Sequence, residues 1–170
     1  FLDYQKVEQD LYNLTNTGRT WYGDLFDVTL TRNYPFIFPD LLTEYDARID
    51  VQLAARAFAP SSFQIVVDNQ INQTVPMEST TATSYDWATA NGLTRTFKPR
   101  GDQVNVALTF NRSISSARGW LDYISVNAWR SLVFRGPQMH FNNTLLAGNT
   151  VVEMQLAQAS GVEVWDITEA

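Results

Sequence analysis

Residues 103–110 read Gln-Val-Asn-Val-Ala-Leu-Thr-Phe, which puts Val104, Val106, Leu108 and Phe110 on one side of an extended chain. Apolar residues at a period of two mark a β-strand with one buried face and one wetter face. The pattern recurs. Phe26, Val28 and Leu30 alternate with Asp27, Thr29 and Thr31, and Ile49, Val51, Leu53 and Ala55 alternate with Arg48, Asp50 and Gln52. Val152, Met154 and Leu156 alternate with Glu153 and Gln155. Antiparallel sheets packed on one side show this signature, so the chain is expected to be all-β.

Further strands are predicted at Phe63–Asp68, Ile71–Pro76, Leu93–Phe97, Trp120–Phe134 and Val162–Ile167. The step Asp68-Asn69-Gln70 between two apolar runs reads as a tight hairpin. Trp120–Phe134 is long for one strand and predicts a bulge or bend near Asn127-Ala128. Turn signals stand at Asn16-Thr17-Gly18, Pro60-Ser61-Ser62, Pro99-Arg100-Gly101-Asp102, Gly136-Pro137 and Ala147-Gly148-Asn149. About nine strands at this spacing predict an antiparallel β-sandwich, jelly-roll-like or immunoglobulin-like. Tyr4, Val7, Leu11 and Leu14 sit at helical spacing, so residues 1–17 are expected to form a linker or a short helix. Ser79–Tyr85, rich in Ser and Thr, reads as an exposed loop. The 170 residues fit a single domain. A strand-like run close to Ala170, and an opening at Phe1 without an initiator Met, predict a piece excised from a longer chain.

Composition narrows the function. The net charge is −6 and the sequence pI about 4.6, which disfavours a phosphate backbone as partner. No apolar run approaches the roughly 20 residues of a membrane-spanning helix, so no membrane insertion by this segment is expected. With 0 Cys there is no disulfide, thiolate nucleophile or cysteine metal site. Secreted bacterial domains often lack cysteine, and a sandwich of this size can bury enough surface without cross-links. Sequons start at Asn13, Asn72, Asn111 and Asn142; in a chain rich in Asn and Thr they are read as chance.

Catalytic chemistry finds little support. His140 is the one histidine, and Met139-His140-Phe141 reads as a strand in which a lone His is a half-exposed strand residue. Zinc needs three or four converging ligands, and no compact cluster exists. Asp24, Asp27 and Asp122 do not by themselves define a pair of glycosidase carboxylates. Asp24, Asp27 or Asp166 with backbone carbonyls leaves a structural calcium ion open, although no calcium motif supports it. There is no Gly-x-Ser-x-Gly and no glycine-rich phosphate loop. The expectation is that the chain has no catalytic, cofactor-binding or metal-site residue. The aromatics Trp21, Tyr22, Trp87, Trp120, Trp129 and Trp165 are the best case for binding, because such rings stack on sugars; packing of the core or of the sandwich ends is the competing reading. Of these, Trp87 is expected to be the most exposed.

Three segments carry a resemblance. They are Gly18-Arg19-Thr20-Trp21-Tyr22-Gly23-Asp24-Leu25-Phe26-Asp27; Phe36-Ile37-Phe38-Pro39-Asp40-Leu41 with the strand at Ile49–Ala57; and Ala117-Arg118-Gly119-Trp120-Leu121-Asp122-Tyr123-Ile124 with Val164-Trp165-Asp166-Ile167-Thr168. Together they resemble a β-rich domain of the PorU-type sortases, gingipain-like cysteine peptidases of the type IX secretion system in Bacteroidetes. The resemblance implies a non-catalytic β-sandwich just before the peptidase domain, at the outer-membrane or cell surface, outside the cytoplasm. Its implied partner is that peptidase domain, with secreted cargo or other secretion components beyond it. The family's catalytic Cys and His map to no position here. The alternative is a carbohydrate-binding module of a secreted multidomain protein.

Overall fold

The computed structural model describes residues 1–14, 19–82, 87–142 and 154–167. Among the described residues nine strands form, all paired antiparallel: β1 (Leu2–Glu8), β2 (Leu25–Phe26), β3 (Thr31–Ile37), β4 (Ala47–Arg56), β5 (Ser61–Val67), β6 (Ile71–Met77), β7 (Thr89–Phe97), β8 (Gln103–Arg112) and β9 (Arg118–Trp129). One sheet runs β1-β9-β4-β7, with β2 also on β9; the other runs β3-β8-β5-β6. If β1 and β2 count as one interrupted strand, eight strands wind between two four-stranded sheets. Of the two sandwich types the sequence left open, this order is the jelly roll, a double Greek key.

The alternation seen in the sequence is what builds the core. Ile49, Val51 and Leu53 of β4 face Phe63, Ile65 and Val67 of β5 and Val104, Val106, Leu108 and Phe110 of β8, all essentially inaccessible. Phe63 is the hub of an aromatic cluster, its ring centroid 5.2 Å edge-on from Phe26 and 4.8 Å from Phe110. Gly119 of β9 lies directly over it. A Cβ at residue 119 would stand 2.5 Å from Phe63 Cζ and 3.1 Å from the Phe110 ring, so only glycine lets this strand pass over two phenylalanines. The β5–β6 hairpin turns at Asp68 and Asn69, both with positive φ (44° and 56°), as a type I′ turn requires.

Several expectations need correction. Residues 2–8 form β1 rather than a linker or helix. Its inward positions pair with Ala128, Val126 and Ile124 but are Asp3, Gln5 and Val7, so the strand carries almost no period-two apolar signal. Of the run from Phe26 to Leu30 only Phe26 lies in a strand, and Val28 stands 95% exposed. β9 ends at Trp129, not Phe134, and its bulge lies elsewhere: Gln52 and Leu53 of β4 pair with Tyr123 and Leu121, which leaves Asp122 as the extra residue. Val162–Ile167 forms no strand, and Val164, Trp165 and Ile167 are 65%, 77% and 59% exposed. Met154 and Leu156 also lie in no strand. Val152, Thr168 and the turns at Asn16–Gly18 and Ala147–Asn149 lie outside the described residues, as does the end of the Ser79–Tyr85 loop.

Gly119→Ala is expected to destabilise the fold by about 1–3 kcal/mol through overpacking against Phe63 and Phe110. Denaturant titration reads this out directly; an unchanged midpoint would show that the rings can swing clear.

Candidate interaction surfaces

The bulge at Asp122 organises the edge of the first sheet. Before it, Gly119 and Trp120 pair with Phe26 and Leu25; after it, Tyr123 to Trp129 pair with β1. Between those partners, residues 9–14 and 19–24 leave the sheet side by side as a finger. Its two arms are joined where Tyr12 and Tyr22 exchange backbone hydrogen bonds of 2.8 and 2.9 Å. Gly23 donates to the Leu121 carbonyl at 2.7 Å, and Leu121 donates to that of Asp24 at 3.0 Å, which ties the base of the finger to the bulge. The finger presents Leu11, Tyr12 and Trp21 to solvent.

The aromatics singled out in the sequence do not share one platform. Trp21 is on the finger and Trp165 on the C-terminal segment, whereas Tyr22 is half-buried. Trp120 is 3% exposed, yet it points to the outside of the sheet and is no part of the main core. Trp87 covers it, with ring centroids 5.7 Å apart and planes at 49°. The Arg56 guanidinium lies 4.4 Å from the Trp87 ring centre and donates to the Trp87 carbonyl. Trp87 is itself 38% exposed, less than Trp165 at 77%, so it is not the most open of the tryptophans. Trp129 is at the other end of the same outer face, 5.8 Å from Tyr45 and tilted by 44°.

Strand register fills the space between these two aromatic pairs with transverse rows. One row is Tyr4, Asn127, Arg48 and Thr96; the next is Lys6, Ser125, Asp50 and Thr94; a third is Glu8, Tyr123, Gln52 and Gly92. Arg48 grips Asp50 through two hydrogen bonds of 3.0 Å, and Thr94 donates to the same carboxylate at 2.6 Å. Burial pulls the Asp50 pKa up, but these bonds outweigh it and hold the carboxyl below its ordinary range. Lys6 pairs with Glu8 and lies over the Tyr123 ring at 4.5 Å. Tyr4, Tyr45, Arg48, Asp50 and Asn127 went unremarked as binding residues in the sequence. Their one signal is that they occupy or flank the polar half of the alternation.

The carboxylates considered for metal or catalysis are engaged otherwise. Asp24 accepts from the Tyr34 hydroxyl at 2.8 Å and pairs with Arg32 at 3.2 Å; burial and that bond push the Tyr34 hydroxyl pKa up. Asp27 pairs with Arg112 at 3.1 Å and Arg118 at 3.3 Å. Asp166 lies on the exposed C-terminal segment. His140 is exposed outside any strand, its Nε2 at 3.3 Å from the Gln138 amide nitrogen. Among the described residues, no three His, Cys, Asp or Glu side chains gather where a metal ion would fit, and no helix is long and apolar enough to cross a membrane.

The fold and its surfaces define a jelly-roll β-sandwich module with aromatic-bearing edges and one polar face. Among solved structures, it is similar to part of dimeric latent PorU from Porphyromonas gingivalis, with a TM-score of 0.72 and 20% sequence identity. The likeness covers 87% of this chain and 14% of that one; at such identity it is a likeness of fold. The carbohydrate-binding module CBM36, in complex with calcium and xylotriose, gives a TM-score of 0.35 at 12% identity over 72% of this chain and 98% of the other; no argument rests on it. No protein-family model matches the sequence, and no curated protein matches it either.

Two outcomes are expected at the bulge end of this face. Trp120→Ala should cost about 3–5 kcal/mol, as for a large buried aromatic, whereas Trp87→Ala should cost about 1 kcal/mol or less. Equal losses in thermal and chemical unfolding would contradict the layered packing.

The second outcome concerns Asp122. Burial, and secondarily the charge of Glu8, hold its carboxyl above the ordinary range. A raised native pKa favours the protonated native state. This carboxyl therefore adds stability as pH falls from its native pKa toward about 3.9, the unfolded value, and carries a penalty above that window. Asp122→Asn should raise Tm at pH 7, and the gap between variant and parent curves should close on acidification. A variant less stable at pH 7 would mean that the carboxylate makes a bond the bulge needs.

Proposed function

We propose that this chain is a non-catalytic β-sandwich module of a larger PorU-like cell-surface cysteine peptidase, a sortase that processes secreted cargo in type IX secretion. The observation that carries this reading is a convergence. The segments Gly18–Asp27 and Ala117–Ile124 resemble the same domain, stand some ninety residues apart, and meet in space as β2 against β9 and Gly23 against Leu121. The similarity in fold to part of PorU supports it further. In this reading the module works outside the cytoplasm, supports the peptidase domain, and leaves the chemistry to it.

A face suited to such packing exists. The outward positions of β3, β8, β5 and β6 include Asn33, Pro35, Asn105, Thr109, Gln64 and Thr74, and none of these outward positions in the four strands carries a charge. The chain holds 12 Lys and Arg and 18 Asp and Glu, so this bare sheet is a local depletion. Depletion of charge is what the buried centre of a protein interface shows. Some side chains here already bind one another, Thr31 to Thr109 at 3.0 Å and Gln64 to Asn72 at 2.9 Å, which lowers the polar surface that docking would have to satisfy.

The coding sequence on either side is the first test. A gingipain-like domain with its Cys and His downstream is the expected finding; a stop codon just past Ala170, or an unrelated glycoside hydrolase, would sink the reading. With the full-length protein in hand, Gln64→Lys and Thr109→Lys together should leave the module folded, each within about 0.5 kcal/mol, and loosen its contact with the peptidase domain. Limited proteolysis of the junction measures that loosening.

A further inference from the structure

The Trp129 end of the opposite sheet face is a shallow cleft of about 280 Å³, lined by Leu2, Asp46, Arg48, Asp50, Asn127 and Trp129. We propose that this cleft binds a neutral saccharide. A sugar ring has an apolar face of C–H bonds and a rim of hydroxyls, so its receptor needs an aromatic surface beside planar hydrogen-bonding groups. Both are present. Tyr45 and Trp129 form a corner rather than a flat strip, Tyr45 is 45% exposed, and Tyr4 is 54% exposed one row along, beside Asn127. The Asn127 amide, the Arg48 guanidinium and the Asp50 carboxylate are planar groups in one neighbourhood, and planar groups make the paired hydrogen bonds that adjacent hydroxyls accept and donate.

Charge decides the class of sugar. Arg48 is paired with Asp50, and Lys98 with Asp46 at 3.0 Å, so the charged residues that line the cleft are each matched by an opposite charge. An anionic polysaccharide would find no spare cation among the lining residues. The Arg48–Asp50 pair also fixes both groups before a ligand arrives, which lowers the entropy cost of binding. None of this depends on the peptidase connection, since the cleft is on the sheet face opposite the uncharged one.

The test is affinity electrophoresis and tryptophan fluorescence of the intact chain with β-glucan, xylan, mannan and dextran, and with polygalacturonate as the anionic comparison. Binding to at least one neutral polysaccharide is expected. Tyr4→Ala and Tyr45→Ala should each weaken it by about tenfold or more, as loss of a contact aromatic does. Both residues are exposed, so unfolding curves should not move. Val28→Ser, at a 95% exposed position outside both faces, should leave binding unchanged. The proposal fails if no neutral polysaccharide binds, if only polygalacturonate binds, if both tyrosine variants bind as the parent does, or if Val28→Ser weakens binding equally.

Discussion

One extra residue in β9 sets the arrangement of the rest. Trp120 and Tyr123 are three positions apart, and in a regular strand they would point to opposite faces. Because Asp122 is bulged out, both point outward, while Leu121 and Ile124 both point into the core. The same step lets one strand serve three neighbours, with β2 and β1 in turn along one edge and β4 along the whole of the other. It also fixes where the chain must leave the sheet between β1 and β2, and so where the aromatic finger stands. Bulges add local twist and redirect side chains, and here both effects are used at one residue. The cost is a carboxyl held in a place that disfavours its charge, through burial and the nearby charge of Glu8.

Downstream of the bulge, the two sides of the sandwich diverge in chemistry. Both sheets contribute one apolar face to the same core, which fixes their inward residues and leaves the outward ones free to differ. On β3-β8-β5-β6 those positions are amides, hydroxyls, prolines and aliphatic groups without charge. On β1-β9-β4-β7 they include aromatics and ion pairs among amides and hydroxyls. A neutral sheet suits a permanent, desolvated contact, since no charge has to be stripped of water. A face of matched charges and half-exposed rings suits a ligand that comes and goes in water. The division assigns the two proposed roles to opposite sides, and neither would obstruct the other.

Legibility in the sequence followed burial. β4, β5 and β8 lie inside their sheets, and the strands predicted for them, and for the edge strand β6, had ends correct to within a residue or two. β1 was missed because only Val7 of its inward residues is apolar; Asp3 instead spends its inward position on a 2.6 Å ion pair with Arg130. Tyr4, Val7 and Leu11 then fell at helical spacing although each has a different environment. Val28 misled in the other direction: an apolar side chain continued the period by accident and stands in solvent. The bulge did leave a trace, in that Leu121 and Ile124 break the period of two, but Asn127-Ala128 drew the expectation because polar and small residues resemble a bend. Tertiary pairing, not local composition, decided the matter.

The binding surfaces were less legible than the fold, for a physical reason. Tryptophan is a conspicuous letter, but its meaning depends on what covers it. Trp120 is as buried as a core residue and yet faces outward, because Trp87 lies over it with Arg56 on the Trp87 ring in turn; no spacing rule reports a lid contributed from more than thirty residues away. The residues that make the Trp129 cleft a candidate receptor are ordinary polar members of alternating strands. Tyr4, Asn127 and Arg48 become neighbours only through the registers of β1 on β9 and β9 on β4. A site on a sheet face is assembled across strands, at right angles to the chain. The sequence can therefore contain each of its parts in plain view and still not show that they meet.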